Sequence, residues 1–357
     1  MLRTFLAGAA LLWAAPVLAA APDFPTETVL TDHIQPRHAA LHQTADRLHE
    51  AAAGLCADAP TADLDAVRKT FHDTMDAWAG VQHVTYGPIE NFNRRFRLQF
   101  WPDPRNVLER ELADLLREQP TDILAENGLT FASVAIQGLP MVERLTFGPH
   151  ADALADGADT GERTYRCRLL EAVTANVAAI AEGLESNWRE TGEPWPAAFR
   201  DPAAADLVAD DADLAGLVLT GLTTQLQSIR DQRLLTVMGD TGDAADPAKA
   251  ESALSGRSLR GIAASIGAMA EGFNLMFTPA LAAAEPELAD LMGRAFSQTQ
   301  ATAQGIDGPL GEAVTDPARR ANVEKLATQV RALQQLLATR VAPALGLSLG
   351  FNSLDGD

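Results

Sequence analysis

Apolar residues along this chain recur at three- and four-residue spacing. Leu64, Val67, Phe71, Met75, Trp78 and Val81 form one such stripe, which predicts an amphipathic helix over about 62–84. The same periodicity predicts helices over about 31–56 (or 36–56), 106–118, 130–147, 162–191, 206–238, 251–279, 286–303 and 317–341. Convincing alternating strand patterns are lacking, so the fold class is all-α. A Pro-rich stretch at 192–202 reads as a linker. It divides the chain into two antiparallel helical-bundle halves, 22–191 and 203–357.

The segment from Phe131 to Gly148 stands out. Val134, Gly138, Met141, Val142 and Leu145 make it apolar on one face, yet Pro140 lies inside the pattern. Proline donates no backbone hydrogen bond, so a kink is expected where the Ile136 carbonyl loses its partner. Glu143 lies one turn beyond Pro140 on the same side. A carboxylate in an apolar helix is costly unless something uses it.

Other polar groups have plainer readings. His38, His42 and His49 share one helix face, which can chelate a metal but reads as a surface or interface row. Arg94, Arg95 and Arg97 alternate with Phe92, Phe96, Phe100 and Trp101. Such a cluster can stack on bases, but on an acidic chain it reads as internal ion pairing and packing. Ser255 or Ser258 is placed to cap a helix. Ser258 sits in no Gly-x-Ser-x-Gly elbow, so it is not read as a catalytic serine. The tail from Leu347 to Asp357 has oxygen ligands without calcium-loop spacing.

The sequence has 357 residues, 47% of them apolar, and a formal net charge of −20. That is core enough for two domains, and the charge argues against binding nucleic acid or anionic membrane. Residues 1–21 read as a signal peptide: Arg3, an apolar run from Phe5 to Leu18, then small residues. The run is too short to span a bilayer, and no later segment qualifies as transmembrane. A periplasmic or secreted protein is expected. Cys56 and Cys167 are the only cysteines. In an oxidising compartment one bridge is the natural pairing, two separate buried thiols being the alternative.

Gly138 through Glu143 resembles the Gly-x-His-x-x-Glu motif of the imelysin-like family, helical extracytoplasmic proteins linked to iron handling. Gly138 and Glu143 match, and Pro140 replaces the histidine. Gly87-Pro88, Trp101-Pro102-Asp103 and the segment starting at Glu251 extend the resemblance. It implies a periplasmic binding protein in iron or other metal acquisition, its partners a divalent or trivalent metal ion or an iron-uptake protein. A site is expected where Glu143 meets the loop after the second helix. Glu143 would be the metal or hydrogen-bond ligand, with Gln82, His83, Asp103, Gln137 and Arg97 as neighbours. The competing reading pairs Glu143 with Arg94 or Arg97 inside the bundle. Relatives with the intact motif are classed as peptidases, but Pro140 removes a ligand that a zinc hydrolase needs. No catalytic residue is therefore expected. A metal-free helical interaction module is the remaining alternative.

Overall fold

A computed structural model describes residues 22–350, apart from 58–59, 126, 156–160, 191–192 and 205. The leader at 1–21 and the end of the tail lie outside the described residues. Among the described residues the chain is helical, with no strand. The all-α expectation holds, and its cause is the three-to-four-residue apolar spacing. Among the described residues, no helix is long and apolar enough to cross a membrane.

Buried apolar side chains form two clusters. The first lies around the helices Gln35–Cys56, Leu64–Ala79 and Gly161–Arg189. Gln35–Cys56 and Gly161–Arg189 run antiparallel, and their side chains show the register. Gln35 donates to the Trp188 carbonyl, His42 meets Glu185 at 2.7 Å, and His49 meets Thr174 at 3.1 Å. Cys56 and Cys167 close the series as a disulfide, their Cα atoms 5.4 Å apart. These four positions fall seven residues apart on one helix, the spacing of a coiled-coil seam. The histidine row is thus an interface: His38 is buried against Trp188, and His42 and His49 are half-buried.

The second cluster gathers Asp211–Ser228, Ser258–Met276, Pro286–Gln304 and Pro317–Leu336, with Phe273, Phe277 and Phe296 at its centre. The chain start also belongs here, since Phe24, Val29, Leu30 and Ile34 are buried in this cluster. So do Trp188 and Phe199. The stretch read as a linker folds at Pro194–Arg200 into a helix with proline in its first turn, where a missing N–H costs nothing. It carries Phe199 into an aromatic group with Tyr86 and Trp188.

Three local readings change. Pro140 does not kink a helix. Gly128–Phe131 and Val134–Ile136 are short 3-10 turns, and the helix Leu139–Phe147 begins with Pro140 in its first turn. Periodicity alone cannot separate a helix from successive turns that bury the same face. Gly138 precedes that helix, and a β-carbon there would overlap the carbonyl oxygens of Arg97 and Leu98. The second helix stops at Ala79, and 80–83 turn back. Neither Ser255 nor Ser258 caps the helix Ser258–Met276; both hydroxyls bond elsewhere.

The disulfide joins residues 111 apart in sequence. Loop-closure entropy puts its contribution at about 4–5 kcal/mol. Replacing both Cys56 and Cys167 with alanine is expected to lower the urea unfolding free energy by about that amount, with helicity retained.

Candidate functional site

A cleft of about 460 Å³ opens between residues from before and after the 192–202 stretch. One wall comes from Trp78, Ile89, Arg95, Phe96 and Trp101, the other from Leu217, Thr220, Thr224 and Gln232. Ligand sites commonly occupy clefts of this size between packed units.

The floor is a closed ring of hydrogen bonds. The Gln99 side-chain oxygen accepts from Trp78 Nε1 and from Gln82 Nε2, the latter at 2.8 Å. Gln82 Oε1 accepts from Arg233 Nη2 at 2.8 Å. Arg233 Nη1 lies 3.2 Å from Glu251 Oε2. Glu251 Oε1 accepts from Gln99 Nε2 at 2.6 Å, closing the ring. Gln225 donates to Gln82 and to Ser265, tying in the helix Asp211–Ser228. All four ring members are buried. Burying such groups costs little where they are paired, and here only Arg233 Nε has no acceptor in the protein.

Local structure sets this up. The turn after Leu64–Ala79 carries Gln82 inward. Arg233 lies in a wide π turn, Ile229–Leu235, that continues the helix Asp211–Ser228. Ser258 Oγ donates to the Glu251 carbonyl and fixes the turn ahead of the next helix.

Glu143 lies on the far side of this floor, buried, beside a cavity of about 30 Å³ shared with Gln99, Trp101 and Glu251. Its Oε1 accepts from the Ser255 backbone N–H at 2.8 Å and from Ser255 Oγ at 2.6 Å. Burial raises the Glu143 pKa, the Ser255 bonds work against that rise, and the Glu251 charge adds to it. Glu143 pairs with neither Arg94 nor Arg97. Arg94 binds the Pro88 carbonyl and Asn187, and Arg97 binds Gln137 and Asn176. Glu143 therefore bonds to the 251–255 turn, and across the small cavity it also borders Gln99 and Trp101 of the stretch after the second helix.

The remaining predicted site residues are dispersed. Gln82 is in the ring. Gln137 joins Arg97 and Asn176 in a separate polar knot. Asp103 Oδ2 accepts from the Leu108 N–H and holds the start of a helix. Gln99, Arg233 and Glu251 carry the floor and were not singled out as site residues. The resemblance at Glu251 was the one signal for it; Gln99 and Arg233 show no motif.

The residues near Glu143 do not fit a directly ligated metal. Hard cations take six or more oxygens. Here one Glu143 oxygen holds Ser255, and both Glu251 oxygens are engaged. Among the described residues no group of three or more His, Cys, Asp or Glu side chains is placed to hold a metal ion.

His83 meets His33 instead of Glu143, their Nε2 atoms 2.9 Å apart in a buried contact. Arg37 Nε reaches His33 Nδ1 at 3.1 Å, and Glu271 pairs with Arg37. Burial, aided by Arg37 and His38 and opposed by Glu271, pulls the His33 pKa down to about 4. Burial first, then the nearby His33, Arg37 and His38, hold His83 well below its ordinary value. Burial brings His38 to about 4, with Glu185 opposing.

The family model for imelysin (peptidase M75) matches residues 34–337. An imelysin-like protein from Psychrobacter arcticum 273-4 superposes with a TM-score of 0.74 at 21% identity, over 93% of this chain and 100% of that one. A putative iron-regulated protein A precursor from Parabacteroides distasonis ATCC 8503 gives 0.72 at 13% identity, over 90% and 96%. No curated protein matches the chain.

The histidine values predict an acid limit. Folded His33 stays neutral until about pH 4, whereas the unfolded imidazole charges near 6.5. Its stability contribution is complete above about pH 6.5 and is lost as pH falls toward 4. Denaturant titration between pH 7 and pH 4 is expected to show a shallower loss in a His33→Gln, His83→Gln double variant than in the wild type.

Proposed function

The chain belongs to the imelysin family, and we propose that it is a periplasmic, non-hydrolytic binding protein of iron handling whose site is the cleft above the Gln82–Gln99–Arg233–Glu251 ring. The observation that carries the reading is that floor. It joins the two halves, it is built of paired polar groups, and it lies beneath an aromatic-walled cleft. The donor inventory argues that iron is held as part of a small complex. Glu143 in this reading positions the turn that bears Glu251. The comparison protein described as iron-regulated supports the iron link. The Cys56–Cys167 bridge and the signal-like leader support an oxidising, extracytoplasmic location.

Hydrolysis is not supported. A zinc peptidase needs about three protein ligands and an open position for water. Pro140 supplies no ligand, and Glu143 is bound to Ser255.

Equilibrium dialysis of the purified protein against radioactive iron tests the reading. Iron is expected to be retained when presented with a small chelator, and not as the bare ferric ion. No peptide cleavage is expected with or without zinc. Peptidase activity lost to chelation and restored by zinc, or failure to retain iron in any form, would overturn it.

A further inference from the structure

Two arginines line the cleft, and each keeps one buried donor without a protein acceptor. Arg233 is buried, its Nη atoms bound to Gln82 and Glu251, yet its buried Nε has no acceptor in the protein. Arg95 is partly buried. Its Nε lies 3.7 Å from Glu90, its Nη1 3.5 Å from the Gln82 carbonyl, and its buried Nη2 likewise has no acceptor. A buried donor without an acceptor is costly, more so on a charged group. Burial lowers the Arg95 pKa, Glu90 opposes, and the Arg233 charge lowers it further, so the guanidinium groups feel each other's repulsion.

The acids nearby relieve this only in part. Glu251 is consumed by the ring, and Glu90 is largely exposed at the rim. Around the arginines stand neutral groups, Thr224, Gln232 and Asn93, and the aromatic faces of Trp101 and Phe96. Arg233 already lies over Trp101, 5.9 Å from the ring centre. Paired guanidinium donors favour planar carboxylates, and apolar walls accept a carbon skeleton.

Resting on the cleft as the site, we propose that it recognises a small organic di- or tricarboxylate, held by Arg95 and Arg233 and recognised whether or not it carries a metal. Guanidinium donors bind the anion, amide and hydroxyl groups meet its remaining oxygens, and Phe96 covers it at the lip. Local charge decides the sign of the ligand here, in spite of a formal net charge of −20 for the whole chain.

Calorimetric titration of the metal-free full-length protein with citrate and succinate, and with glycerol as a neutral control, tests this. At least one carboxylate is expected to bind and glycerol is not. Arg95→Gln is expected to weaken binding roughly ten- to hundredfold. Thr224 supplies a second test at one position: Thr224→Glu is expected to abolish binding, and Thr224→Gln, of the same size but neutral, to retain it. Absence of heat with both carboxylates up to about 10 mM would overturn the proposal. So would equal binding by Thr224→Glu and Thr224→Gln. Retention of chelated iron without any binding of metal-free carboxylate would sink this inference and leave the iron reading standing. Carboxylate binding without iron retention would do the reverse.

Discussion

A buried four-membered polar ring ties together stretches far apart in the chain and forms the floor of the candidate cleft. Gln82 and Gln99 precede the 192–202 stretch, and Arg233 and Glu251 follow it. A buried arginine with one carboxylate is at best neutral for stability. Two glutamine side chains change that balance, because each both donates and accepts and so closes the ring. The same ring is the cleft floor, so the bonds that join these stretches also shape the cleft above them.

The architecture was legible because it depends on period. Stripes such as Leu64–Val67–Phe71–Met75–Trp78 encode a helix and its buried face together. The Cys56–Cys167 bridge followed from compartment and count. Local exceptions were less legible for one shared reason: a short turn and a helix can bury the same residues. Pro140 shows this, reading as a helix breaker and serving as a helix starter. The stretch 192–202 shows it again, since a Pro-rich sequence can start a helix as well as separate domains.

The site was legible only in part. Glu143 was singled out for its cost in an apolar helix, and the structure answers that cost with two hydrogen bonds from Ser255. Gln82 was a neighbour by position in the chain and is a ring member in space. His83 and Asp103, chosen alongside it, point into other networks. Gln99 and Arg233 carry no local sequence signal, because a glutamine and an arginine acquire meaning here only through partners 17 to 152 residues away.

The central claim is that the ring acts as one unit. A double-mutant cycle with Gln82→Leu and Arg233→Met, read by urea unfolding, tests it most directly. The account predicts a coupling energy of about 1–3 kcal/mol between the two substitutions. Additivity within about 0.5 kcal/mol would mean that the two side chains act independently, and would contradict it.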